Sequence, residues 1–249
     1  MKIIITGSDG RLGKKLREVF SEALHTTRNE LDFFDREAVY EFLQKEQPDV
    51  IIHAGAQTGI VNCDKDKEKA WSSNVLGTEN LVWGVKKFCP DCHFIFLSTP
   101  CVFDGKAEEI AEDSIPNPSN FYGVTKLCGE LLVRQLSNWC IVRSNFVMKE
   151  KYEYPKSFSD RYSNYLMDTD LAKAIKDVVE AKPMGIIHLV GSKRLSMYEL
   201  SQRCDNAKDV QPTNLEEYYK NNPNSPKLTQ NMMLVSTRWK KYKIGFSYE

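Results

Sequence analysis

The stretch "KIIITGSDGRLGKKL", Lys2–Leu16, decides the fold of this chain. It opens on a short apolar run, Lys2–Thr6, with no polar alternation, the pattern of a strand buried on both faces of a parallel sheet. Gly7, Gly10 and Gly13 follow in a GxxGxxG pattern. Beyond them Leu12, Leu16, Val19, Phe20 and Ala23 recur at helical spacing, so one face of a helix packs on the sheet. A glycine loop between a strand and a helix is built for a pyrophosphate. Glycines permit the tight turn, the close approach of backbone to phosphate and the tight helix–sheet packing. The helix N-terminus then offers free N–H groups and the positive end of its dipole.

The same alternation continues outward. "ALHTT" (residues 23–27), "DVIIHAGA" (Asp49–Ala56), "HFIFLST" (His93–Thr99) and "WCIVRSNF" (Trp139–Phe146) read as further strands. Helices are predicted over about Glu68–Lys87 and Tyr122–Leu136. Strand and helix alternating with right-handed crossovers give an α/β, doubly wound parallel sheet of the Rossmann type. The pattern breaks over Met148–Leu166, which is polar and aromatic without a period and reads as loop. It returns in "DTDLAKAIKDVVEAK", with Asp168 or Asp170 as the predicted cap, and in "GIIHLVG". Ser196 and Glu199 have capping-box spacing, and "NNPNSPK" (Asn221–Lys227) is a Pro/Asn loop. The expected organisation is a nucleotide-binding domain over 1–146 and a mixed region over 147–249. Within the latter, 168–191 rejoins the sheet and the remainder forms a small interleaved substrate lobe.

Composition limits the function classes. The 249 residues carry 34 Lys+Arg against 34 Asp+Glu, so no strong field favours nucleic acid or an anionic membrane. No apolar run approaches the roughly 20 residues of a membrane span, and "MKIIITGSDG" leads into a glycine loop instead of a signal-peptide cleavage site. Seven scattered cysteines suit free thiols in a reducing cytoplasm. Cys89 and Cys92 form a single CxxC whose Pro90-Asp91 reads as a turn, and no metal site is expected.

Two features bear on cofactor and chemistry. An acidic residue at the end of the second strand would bind a ribose 2′-hydroxyl. This chain has Thr27 and Arg28 there, with Arg11 in the glycine loop, and two guanidiniums suit a 2′-phosphate. NADP is therefore preferred over NAD, although both arginines also read as solvated surface residues. In "FYGVTKLCGE", Tyr122 and Lys126 form a YxxxK pair on one helix face. A lysine ammonium beside the phenol would lower its pKa, making Tyr122 a proton donor to a carbonyl oxygen as hydride reaches its carbon. Lys126 would also hold the cofactor ribose, and Thr99, at a strand end, would bond the same carbonyl oxygen.

Together "TGSDGRLG", "LDFFDREAV", "PDVIIHAGAQT", "NVLGTENL", "STPCVFDG", "EDSIPNPSNFYGVTKLCGE", "DLAKAI" and "SMYEL" resemble the extended short-chain dehydrogenase/reductases. The chain is most similar to the dTDP-4-dehydrorhamnose reductase family. That resemblance implies NAD(P)H-dependent reduction of the 4-keto group of a nucleotide-linked 4-keto-6-deoxy sugar. It implies Thr99, Tyr122 and Lys126 as the catalytic trio. Gly7, Asp9, Gly10, Arg11, Leu12, Gly13, Asp32, Phe33, Ala54, Gly55, Ala56, Asn74 and Ser98 would line the cofactor. Gln57, Thr58, Thr99, Pro100, Cys101, Asn145 and Phe146 would meet the substrate, and a homodimer is left open.

The chain departs from the family twice. Pro100-Cys101 stands where an Asp-Tyr pair is usual, and Phe146 where a tryptophan is common. GDP-fucose synthases and the bifunctional 3,5-epimerase/4-reductases resemble this chain in having a cysteine there, which exchanges protons beside the ketone. Cys101 as such an acid/base needs a partner on the opposite face, and Lys156 is the expected one, ahead of Arg161 and Lys149. The other reading of Cys101 is a small buried hydrophobe. A different class also stays open, a non-catalytic NADP-binding regulatory subunit resembling the β subunit of methionine adenosyltransferase.

Overall fold

The computed structural model describes residues 1–244. In the first half the chain builds β1 (Ile3–Thr6), α1 (Arg11–Val19), β2 (Leu24–Thr26), α2 (Arg36–Glu46), β3 (Val50–His53), α3 (Ile60–Lys65) and α4 (Lys67–Trp71). A π-helical turn, Ser72–Leu76, joins α4 to α5 (Gly77–Phe88). Then come β4 (His93–Ser98), a 3₁₀ turn at Pro100–Val102, α6 (Phe121–Val133) and β5 (Trp139–Arg143). In the second half β6 (Phe146–Val147), β7 (Lys156–Phe158), β8 (Tyr162–Ser163) and β9 (Leu166–Met167) lead into α7 (Asp168–Ala181) and β10 (Gly185–His188). The lobe is completed by β11 (Leu195–Ser196), α8 (Met197–Ser201), β12 (Gln211–Thr213), α9 (Leu215–Asn221) and β13 (Asn231–Met232).

Six strands form one parallel sheet in the order β10-β5-β4-β3-β1-β2. Alternate strand residues feed two apolar layers. On one face Ile5, Ile52 and Ile95 pack with Leu16 of α1 and Leu171, Ile175 and Val178 of α7. On the other Ile4, Ile51, Phe94 and Phe96 pack with Leu43 of α2, Leu81 and Val85 of α5 and Val133 of α6. Each fully buried aliphatic side chain there contributes about 1.5–3 kcal/mol, which makes the double covering the main source of stability. The strand order reverses between β1 and β3, the place where open α/β sheets form a ligand crevice at the C-terminal strand ends.

The second half differs from the sequence reading in four places. Met148–Leu166 is not all loop, because β7 pairs with β12 and β8 lies between β11 and β13. These strands are two or three residues long and their partners lie far along the chain, so no local period betrays them. The strand expected through Phe146 ends at Arg143, and Phe146–Val147 pairs with β9 instead. Helix α7 begins from Met167 with no side-chain cap. The Asp168 carboxylate accepts from the Lys149 and Thr169 N–H groups at 3.1 and 2.9 Å. Finally Tyr242 packs into the first sheet layer and donates to Asp177 of α7 at 2.8 Å, so the chain returns from the lobe to the sheet. The capping box at Ser196 and Glu199 is present.

Candidate active site

A cleft of about 340 Å³ opens at the C-terminal ends of β1, β3 and β4, between the sheet and the lobe. One end is formed by Gly10–Gly13, with Ala54 and Ala56 beyond β3. Gly7 has φ +70°, and a Cβ there would collide with the Gly55 backbone; a Cβ on Gly13 would overlap the Gly7 carbonyl. A Cβ on Gly10 would meet only the Gly7 carbonyl, at 3.1 Å, and would otherwise stand in the cleft. Helix α1 starts there with no side-chain cap and no acidic residue in its first turn, so its N–H groups are available to an anion. These residues fit a dinucleotide pyrophosphate.

Behind the loop, His53 accepts or donates to Thr6 Oγ1 at 2.7 Å and Thr78 Oγ1 at 3.1 Å, and burial pushes its pKa down to about 3. It is a neutral clamp between β1, β3 and α5 that the sequence reading missed. Asn74 sits in the π-helical turn, a common distortion at functional sites. Its amide accepts from the Gln57 N–H at 2.7 Å and donates to the Gln57 carbonyl at 3.0 Å and to Thr125 Oγ1 at 3.0 Å. Asn74 thus fixes the loop after β3 against the helix that carries Lys126, and does not itself line the cleft.

At the other end Thr99, Cys101, Tyr122 and Lys126 converge. Thr99 ends β4 and its Oγ1 accepts from the Cys101 N–H at 3.2 Å, capping the 3₁₀ turn. Asn120 caps α6 by accepting from the Gly123 N–H at 2.9 Å, which places Tyr122 in the first turn. A Cβ on Gly123 would overlap the Cys101 carbonyl, so this glycine lets α6 seat directly on the Thr99–Cys101 turn. Under the site Ser98 Oγ donates to Glu130 at 2.5 Å. Arg143 forms a bidentate pair with the same carboxylate at 2.9 and 2.7 Å, both partners fully buried.

The electrostatics correct one expectation. Tyr122 is pushed above its ordinary pKa, first by burial and then by the neighbouring Cys101 and Cys63 thiols, so the phenol keeps its proton. Lys126 does not lower it. Burial brings the lysine itself down to about 7, opposed by Glu130, and its Nζ lies 4.0 Å above the Phe96 ring. Burial likewise raises the Cys101 thiol, against smaller opposing effects of Thr99, Arg161 and Thr229.

The expected residues divide between cleft and surroundings. Gly10, Arg11, Leu12, Gly13, Ala54, Ala56, Thr58, Ser98, Thr99, Cys101, Tyr122, Lys126, Asn145 and Phe146 line the cleft. Gly7, Gly55, Phe33, Gln57 and Pro100 support its walls: Phe33 lies over Gly55 and edge-on to His53 at 5.6 Å. Asp9 is exposed on the loop, and Asp32 accepts from the Phe34 N–H at 3.1 Å. Arg28 and Lys156 are not among the residues that line the cleft. Arg28 is exposed after β2, and its guanidinium stacks 5.0 Å from the Phe34 ring. Lys156 is exposed on β7 and pairs with Glu217 at 2.6 Å, outside the cleft lining that includes Cys101. The strand that holds Lys156 pairs with β12, which the aperiodic sequence around it did not reveal. Ser144, Tyr152, Tyr165, Met197 and Met232 complete the lobe side without having been read as site residues. Arg161 lies there too, and Arg11 reaches across the mouth to an ion pair with Glu153.

Comparison with known proteins gives a consistent relation. A dTDP-4-dehydrorhamnose reductase from Aggregatibacter actinomycetemcomitans is 26% identical over 227 residues, covering 80% of this chain and 76% of that protein. The β subunit of methionine adenosyltransferase 2 from Xenopus laevis is 36% identical over 148 residues, covering 54% of this chain and 43% of the relative. A crystal structure of dTDP-4-dehydrorhamnose reductase from Bacillus anthracis in complex with NADP superposes with a TM-score of 0.86 at 22% identity, covering 98% of this chain and 96% of the other. The model of the RmlD substrate-binding domain matches residues 1–246, and the chain belongs to that family.

Proposed function

We propose that the protein is an NADPH-dependent reductase of the 4-keto group of a nucleotide-linked 4-keto-6-deoxy sugar. The observation that carries this reading is the meeting of Thr99, Tyr122 and Lys126 in one cleft with the glycine cradle at its far end. When bound, a reduced nicotinamide would supply the hydride. The Tyr122 phenol, protonated throughout the neutral range, hands its proton to the carbonyl oxygen as that oxygen gains charge. Thr99 Oγ1 orients the same oxygen. Lys126 carries a proton only in part near pH 7, so it can hold a ribose hydroxyl as donor or acceptor and pass a proton toward Tyr122. Names of relatives support the sugar class, and Arg11 at the phosphate end together with the NADP of the Bacillus anthracis protein supports the phosphorylated cofactor.

The chemistry ends at reduction. Cys101 is a buried, neutral thiol without the lysine partner expected of an epimerase, so it serves as an apolar wall for the sugar. Seven free cysteines suit action in the reducing cytoplasm. The test is to incubate the protein with NADPH and dTDP-4-keto-6-deoxyglucose or dTDP-4-dehydrorhamnose in deuterated water and to analyse the sugar by NMR. Oxidation of NADPH with no deuterium at C3 or C5 is expected. NADPH binding without oxidation by any such sugar would favour the regulatory-subunit reading instead.

A further inference from the structure

Cys89 closes α5 and Cys92 leads into β4, with Pro90 and Asp91 exposed between them. The Cys92 N–H donates to the Cys89 carbonyl at 3.0 Å, which makes Cys89–Cys92 a β-turn with proline at its second position. Such a turn holds its end Cα atoms within about 7 Å, and disulfides span about 4.4–6.8 Å between Cα atoms. The turn is also anchored from outside. Ser137 Oγ donates to the Pro90 carbonyl at 3.0 Å, and Asn138 Nδ2 donates to the Asp91 carbonyl at 2.9 Å. Within the turn the Cys92 thiol donates to the Cys89 sulfur. That bond holds the Cys89 thiol below its ordinary pKa against the opposing effect of burial, whereas the other six thiols are all raised. No third Cys, His, Asp or Glu joins the two sulfurs in a metal-ligating group among the described residues, so the pair suits thiol–disulfide exchange. The cleft lies at the C-terminal strand ends, and this turn lies at the opposite, N-terminal edge of the sheet.

We propose that Cys89 and Cys92 are a redox modification site, a dithiol that a small-molecule disulfide of the glutathione type converts reversibly to an intramolecular disulfide. The Cys89 thiolate attacks one sulfur of the external disulfide, whose S–S bond breaks, and the departing thiolate takes up the proton that Cys89 gave to solvent. Cys92 then loses its proton and attacks the Cys89 sulfur of the mixed disulfide, and the second external thiolate leaves and is protonated. The protein gives up two electrons and two protons, and the external disulfide becomes two thiols. In reducing surroundings the pair rests as a dithiol; it closes when the disulfide fraction rises, tying the end of α5 to the start of β4. This chemistry is independent of the reductase reading, since neither thiol lines the cleft.

The test equilibrates the full chain in buffers of rising ratio of glutathione disulfide to glutathione. Remaining thiols are trapped with N-ethylmaleimide after an acid quench, and the tryptic peptide Phe88–Lys106 is read by fragment-ion mass spectrometry. That peptide also contains Cys101, which serves as an internal control. The expected result is joint loss of label from Cys89 and Cys92, with Cys101 still labelled and full recovery after dithiothreitol. C92S, which lacks the resolving thiol, is expected to stop at a glutathione adduct on Cys89. Wild type that keeps both labels at the highest disulfide fraction would overturn the proposal. So would a bond from either thiol to Cys101 or to another cysteine, or a Cys89–Cys92 bond that forms only in urea-unfolded protein.

Discussion

Tyr122 and Lys126 are one helical turn apart, yet burial moves their pKa values in opposite directions, upward for the phenol and down to about 7 for the ammonium. Removing the proton donor alone, in Tyr122→Phe, is expected to lower kcat by about 10²–10⁴-fold, with NADPH affinity unchanged in a fluorescence titration. Lys126 leaves a separate mark on stability. Its folded pKa lies below the 10.5 of the unfolded chain, so between about pH 7 and 10 the unfolded state binds the extra proton. Stability therefore gains from this group as pH rises through that window and loses as pH falls toward 7. Urea midpoints at pH 7, 8 and 9 should show that component in wild type and lack it in Lys126→Met; parallel curves would contradict it. The YxxxK spacing was readable because four residues on a helix share a face. The direction of the Tyr122 shift was not, because desolvation depends on what the fold stacks around the ring.

At the scale of elements, the glycine loop and the Glu130–Arg143 pair behave differently under substitution. Gly13→Ala forces a Cβ into the Gly7 carbonyl and is expected to cost about 1–3 kcal/mol in urea unfolding. Gly10→Ala is expected to cost less stability than Gly13→Ala, because its Cβ presses only on the Gly7 carbonyl, at 3.1 Å, but it occupies the cradle and should weaken NADPH binding. The reverse ranking of the two variants would contradict the assigned roles. Glu130→Gln leaves Arg143 buried without its carboxylate and is expected to destabilise the protein by about 3–5 kcal/mol, measured by the same unfolding experiment. β1, β3, β4, α1 and α6 were readable from apolar runs and helical spacing. β7, β8 and β9 were not, since a strand of two or three residues gains its hydrogen bonds and burial only from distant partners.

In the whole molecule, the segment around Tyr152–Tyr154 crosses from the lobe to the phosphate end of the cleft, where Glu153 holds Arg11. Both side chains are partly exposed, so the pair is worth about 0.2–1 kcal/mol. Glu153→Gln is therefore expected to free Arg11 and to lower the Kd for NADPH by about twofold to fivefold; an unchanged or higher Kd would separate Arg11 from cofactor binding. By itself the sequence determined the doubly wound sheet, the glycine cradle and the positions of Thr99, Tyr122 and Lys126. Each is written in local spacing, apolar run length or turn chemistry. Only the tertiary structure decided that Lys156 pairs with Glu217 outside the cleft lining and that Arg161 stands within it with no carboxylate partner among the described residues. Which of several basic residues enters a cleft depends on how short strands pair across the lobe and on which charges are left without a partner, and neither is encoded in the residues adjacent to it.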